Sequence, residues 1–206
     1  MQLFVNDLTV IDFSYLCTKR GMVGESWIVD LTLHGELDEQ NMVLDFGKVK
    51  KQVKRIIDDT VDHKLVIPSE YAGSKIEHVA NSDYIRVEFY ADNDERIAIS
   101  SPEDAYCFID TEAVSMEDVI THLASVIKPQ LPENVKKVEL ALRAEDINGF
   151  YYHYTHGLKK HDGNCQRIAH GHRSKIQVYE NGMKSPRLEK LWSSAWADVY
   201  VATEED

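Results

Sequence analysis

Residues 26–34 read SWIVDLTLH, and their alternation is that of a strand. Trp27, Val29, Leu31 and Leu33 fall on one face, while Ser26, Asp30, Thr32 and His34 fall on the other, so the segment offers one apolar side at period two. Upstream, residues 8–17 (LTVIDFSYLC) are equally rich in β-branched and aromatic side chains. The two segments are expected to form a long antiparallel hairpin, closed by GELDEQN. Such a hairpin needs a cover for its apolar face.

Downstream sequence supplies two covers. Over residues 46–60, Val49, Val53, Ile56 and Ile57 make one apolar stripe at i, i+4, i+7 and i+8, with Asp45 as the expected N-cap. Over residues 116–128, Val119, Leu123, Val126 and Ile127 make a second stripe. Ser115 stands as N-cap of this helix, Asp118 at the capping-box position, and Pro129 stops it. Residues 84–90 (YIRVEFY) and 96–100 (RIAIS) predict a smaller hairpin, and further strands are expected over 135–143, 150–155, 173–179 and in the terminal ADVYVA. Strands dominate and two amphipathic helices cover one face, which is an α+β, antiparallel-sheet pattern.

The chain has 206 residues, 43% of them hydrophobic and 28% charged, ordinary for one globular domain with an appended piece. It has no run of 18 apolar residues, and MQLFVNDLTV lacks the regions of a signal peptide, so a cytoplasmic protein without membrane contact is expected. Cys17, Cys107 and Cys165 are too few and too scattered for a disulfide framework. The net charge of −12 argues against nucleic-acid binding. Lys159, Lys160, Arg167, Arg173 and Lys175 nevertheless gather against Asp162 alone, a local patch suited to a small anionic ligand or simply a solvated loop.

That patch lies in or beside residues 155–172, THGLKKHDGNCQRIAHGH, which hold four of the nine histidines. In a strand, His170 and His172 point the same way, and a hairpin returns His156 beside them. Three imidazoles with no fourth protein ligand describe a catalytic Zn²⁺ site; the alternative is a polar loop of exposed histidines, the class to which His153 and His161 are assigned. Cys165, among cations, is either a base or nucleophile of depressed pKa or an inert thiol. Asp62 and His63 are either a proton relay or an exposed pair at a helix end. A glycine-rich phosphate loop and a dinucleotide fingerprint are both missing.

Residues 35–68 closely resemble a segment of the 6-pyruvoyltetrahydropterin synthase and 6-carboxytetrahydropterin synthase family. That family's G-M-V-x-D-F-x-x-L-K and L-D-H-x-x-L are matched by the stretch from Met42 to Lys50 and by Val61-Asp62-His63-Lys64-Leu65. Ser115-Met116-Glu117-Asp118 is similar to its T-A-E-N helix start, and Thr155-His156-Gly157-Leu158 with Cys165 to His172 is similar to its S-H-R-L and C-x-x-x-H-G-H zinc hairpin. The resemblance implies a T-fold whose subunits join into oligomeric barrels, and lyase chemistry on 7,8-dihydroneopterin triphosphate. Carried over, Zn²⁺ falls to His156, His170 and His172, the catalytic base to Cys165, and the relay to Asp62 and His63, a pair that usually comes from a neighbouring subunit. The charge pattern assigns the triphosphate to Lys159, Lys160, Arg167 and Arg173. The branch expected is the acetaldehyde-releasing 6-carboxytetrahydropterin synthase that feeds queuosine synthesis, with the pyruvoyl branch and a non-catalytic zinc-binding T-fold subunit as alternatives.

The chain departs from the family in order. The family's zinc hairpin precedes the D-F-x-x-L-K helix, whereas here it follows about a hundred residues later. Val23-Gly24-Glu25 occupies the usual place of H-G-H. Residues 1–149 thus read as a T-fold unit with a degenerate hairpin and an insertion at 69–110, and residues 150–206 as a second, zinc-binding hairpin with a tail. The family's pterin-anchoring glutamate is displaced: Ala144 stands in its place, with Glu145 expected to substitute through a bulge.

Overall fold

The computed structural model describes residues 1–36, 46–92, 95–157 and 169–202. The first two strands, β1 (Gln2–Cys17) and β2 (Gly21–Gly35), form a hairpin longer than the sequence suggested. Its register shifts once, between Val5 and Thr9, where Asp7 takes a left-handed φ of 51°. Beyond that irregularity the alternation holds: Trp27, Val29, Leu31 and Leu33 are buried together with Ile11 and Phe13. Helix α1 (Phe46–Thr60) sets Val49, Val53, Ile56 and Ile57 into the same core.

The chain then departs from a purely antiparallel plan. Strand β3 (Leu65–Pro68), buried at all four positions, enters beside β1 in parallel, with α1 carrying the crossover. A separate antiparallel sheet follows, made of β4 (Ser74–His78), β5 (Tyr84–Tyr90) and β6 (Arg96–Pro102). Strand β7 (Tyr106–Ile109) returns to the main sheet and pairs in parallel with β3. Helix α2 (Met116–Ile127) begins at the capping box anticipated for Ser115 and Asp118 and buries Val119, Leu123 and Ile127 beside α1. With β8 (Val135–Ala144) the main sheet is complete, in the order β7-β3-β1-β2-β8.

The remaining chain folds back over this sheet. Strands β9 (Tyr151–His156) and β10 (His170–Lys175) form an antiparallel pair. A small ribbon of β11 (Tyr179–Glu180) and β12 (Met183–Lys184) follows, then α3 (Pro186–Ala195), and β13 (Val199–Val201), which joins β9 in parallel. Neither the ribbon nor α3 was anticipated; the strand expected over 173–179 ends at Lys175, and Pro186 at the start of α3 opens a helix in the tail.

The β9–β10 pair lies on the face of the first hairpin that the helices leave bare. There Ser14 pairs with Gly24 and Asp12 with Ser26, all on that face. Backbones touch at this crossing, since a Cβ added to Gly24 would stand 1.9 Å from the Tyr154 carbonyl oxygen. Ser14 and Thr155 hydroxyls hydrogen-bond across it at 2.9 Å. Arg20 fastens the far end, its Nε donating to Asp198 at 2.8 Å just before β13. Among the described residues no helix is long and apolar enough to cross a membrane.

Candidate metal centre

Pairing within β9–β10 determines the site. His156 stands directly opposite His170, and His172 follows on the same face of β10. The Nε2 atoms of His172 and His170 are 3.1 Å apart, those of His156 and His172 3.3 Å. Nitrogens bound tetrahedrally at the usual zinc distance are separated by about 3.3 Å. The three histidines are the cluster among the described residues whose ligand atoms all lie within 4.8 Å of one another, and they fit a divalent ion that prefers imidazole. Burial, reinforced by the neighbouring histidines, pushes the His170 pKa down to about 3, which keeps this imidazole neutral and its lone pair available. His170 is 2% exposed.

Behind the triad stands Asp12 of β1. Its Oδ1 lies 3.2 Å from His172 Nδ1 and accepts the Ser26 hydroxyl at 2.5 Å. A donated Nδ1–H leaves His172 Nε2 as a lone pair facing its two partners. Burial raises the Asp12 pKa, but hydrogen bonds from His172 and Ser26 outweigh it, and the net shift is downward.

Asp62 and His63 sit at the end of α1, where the chain turns into β3. His63 holds φ at 56°, and its backbone N–H donates to the Asp12 carbonyl at 2.8 Å. In return, Asp12 N–H donates to Asp62 Oδ1 at 2.8 Å. The His63 ring meets the His170 ring edge-on, with centroids 4.6 Å apart, and Asp62 Oδ2 lies 3.4 Å from His63 Nδ1. Burial pushes the Asp62 carboxyl upward. The triad and the Asp-His pair, expected to meet across a subunit boundary, are therefore in contact within one chain.

Other anticipated residues fall elsewhere. Cys165, Lys159, Lys160, Arg167 and His161 lie outside the described residues, as do Asp45 and the motif from Met42 to Leu44. Strand β8 carries no bulge at its end: Trp27 pairs with Ala144, and Glu145 follows the strand, exposed. Its carbonyl, not its carboxylate, accepts from Arg173 Nη1 at 3.1 Å. Glu145 and Arg173 line a cavity of about 390 Å³ with Asp146, Asn148, Ser174 and Lys175.

His153 is no exposed loop histidine. Its Nδ1–H donates to the Gly24 carbonyl at 2.8 Å and lies 3.3 Å from Glu25 Oε1. Burial lowers the His153 pKa, and burial pushes the Glu25 carboxyl up to about 7 against the pull of Arg173 and Arg20. Sequence reading missed Asp12, Ser26 and Glu25. The available signal was a row of polar residues, Asp12, Ser14 and Ser26, in phase on the non-core face of the first hairpin.

Comparison with known proteins places the fold. No curated protein matches the sequence. Two solved structures share the architecture: the 6-pyruvoyl tetrahydropterin synthase of Plasmodium falciparum, with 16% identity and a TM-score of 0.54 over 70% of this chain and 91% of that one, and that of Plasmodium vivax, with 16% identity and a TM-score of 0.51 over 70% and 98%. At such identity they show the fold, a T-fold. The family model for 6-pyruvoyl tetrahydropterin synthase matches residues 17–149, a segment that includes Asp62 and His63 and ends before β9. On that match, over more than half its length, the chain belongs to the 6-pyruvoyl tetrahydropterin synthase family.

Proposed function

We propose that the chain is a zinc-dependent pterin lyase acting on 7,8-dihydroneopterin triphosphate, of the 6-carboxytetrahydropterin synthase type that serves queuosine synthesis in the cytoplasm. The observation that carries this reading is the contact between the histidine triad and the Asp62–His63 pair. His156, His170 and His172 would hold Zn²⁺, which when bound supplies Lewis acidity to the hydroxyls of the substrate side chain.

The chain's own groups divide the remaining work. His63 holds or passes a proton at the ring edge beside His170, and the carboxyl of Asp62 stabilises the imidazolium when His63 is charged. Cys165 is the base. Lys159, Lys160, Arg167 and Arg173 take the triphosphate, with Glu145 at the rim of the cavity that Arg173 lines. Assembly into a homo-oligomer follows the habit of the family.

Incubation with 7,8-dihydroneopterin triphosphate tests the assignment. Triphosphate release that Cys165→Ala abolishes is the expected result, and turnover retained in that variant would remove the thiol from the mechanism. Acetaldehyde among the products selects the 6-carboxytetrahydropterin branch; its absence beside a pyruvoyl product selects the other. A second reading, a zinc-binding subunit without catalysis, is favoured by one observation: no carboxylate stands at Ala144, and Glu145 lies exposed beyond the strand. Zinc-loaded protein that leaves the substrate intact would establish it.

A further inference from the structure

The ligand-stripped first hairpin has kept a role. We propose that Asp12, on β1, is the positioning residue of the metal centre, orienting His172 through its side chain and fixing the Asp62–His63 pair through its backbone. The inference rests on the metal-site reading above.

Four contacts converge on this one residue. Its carboxylate faces His172 Nδ1 at 3.2 Å and is held by the Ser26 hydroxyl at 2.5 Å. Its N–H donates to Asp62 Oδ1, and its carbonyl accepts from His63 N–H, each at 2.8 Å. Ser26 in turn accepts from the backbone N–H of Arg173, next to His172, at 3.3 Å. A carboxylate behind an imidazole selects the tautomer whose other nitrogen is a lone pair, and raises its basicity. The backbone contacts mean that the same residue sets how far His63 stands from the triad.

Nothing in the motif of the zinc hairpin would reveal this, because Asp12 lies 160 residues from His172 in sequence. Its placement on β1 explains why a hairpin without metal ligands still carries a charged residue on its non-core face. Strand β1 puts Asp12 and Ser14 on that face, and the second hairpin docks there with Ser14 against Thr155 and Asp12 against His172.

Zinc affinity, measured by competition with a chromophoric chelator, tests the role with no need of activity. Asp12→Asn, nearly isosteric, should weaken zinc binding by about 10- to 100-fold. The melting temperature of the metal-free variant should stay near that of the parent. Ser14→Ala, which cuts the hairpin contact without touching a ligand, should leave the affinity within about twofold. The zinc-loaded parent should also show His172 as the Nδ1–H tautomer by ¹⁵N NMR. Parent protein that binds zinc equally well with Asp12→Asn would overturn the role of Asp12 while sparing the metal site. An affinity loss shared by Ser14→Ala, or one tracking a fall in apo stability, would reduce Asp12 to a packing residue and overturn the proposal as well. Parent protein that binds no zinc would instead remove the metal-site reading itself.

Discussion

His170 concentrates the chemistry of the site at the scale of one residue. It is the most buried of the three histidines, it touches both His172 and His63, and burial keeps its imidazole neutral far below physiological pH. His170→Ala is therefore expected to abolish stoichiometric zinc, read by metal analysis of purified protein, while His161→Ala leaves zinc unchanged. Zinc retained in full by the His170 variant would place the metal elsewhere. This part of the site was legible because H-G-H puts two imidazoles on one strand face at i and i+2, a purely local rule. Asp12 was not legible. Its significance arises from a docking partner 160 residues away, which no local period encodes.

Hairpin against hairpin is the governing contact among the elements. The crossing of β2 under β9 and β10 buries Glu25 beside His153, Arg173 and Arg20, and leaves its carboxyl with a pKa of about 7 in the fold against 4.5 as a free group. A raised folded pKa means that the native state keeps a proton the unfolded chain has lost between those two values. The contribution of Glu25 to stability should therefore fall as pH rises from about 4.5 to about 7, by up to about 3 kcal/mol, while His170, whose folded pKa is lowered to about 3, contributes in the opposite direction up to its free value of 6.5. Denaturant unfolding of the metal-free protein across pH should show the parent losing stability relative to Glu25→Gln over this window, and a parent-minus-variant difference that does not change with pH would show that Glu25 does not titrate there. Strand and helix identities were largely readable here, since the stripe of α1 and the capping box of α2 are local signals. The parallel entry of β3, the third strand of the smaller sheet and α3 were not. Strands of four and five residues and a short, mostly exposed helix carry too little periodicity to stand out.

For the molecule as a whole, the chain brings the segment matched by the family and the C-terminal hairpin that carries the three histidines together, so that both halves of the candidate site meet within one chain. The main core lies between the five-stranded sheet and α1 and α2, while a second cluster joins Phe89 and Ile85 of β5 to Leu65 and Ala169, next to the triad. Mixing His170→Ala chains with His63→Ala chains should restore no triphosphate release, because neither chain holds an intact pair of halves. Recovered activity in the mixed oligomer would mean that His63 serves a partner's metal. The family was legible from Val61-Asp62-His63-Lys64-Leu65 and its neighbours, but the spatial consequence of the displaced hairpin required the fold. The most direct test of the central claim is triphosphate release from 7,8-dihydroneopterin triphosphate by zinc-loaded protein and by its His170→Ala variant. Release by the parent and none by the variant is the predicted result; an intact substrate after incubation with fully zinc-loaded parent would contradict it.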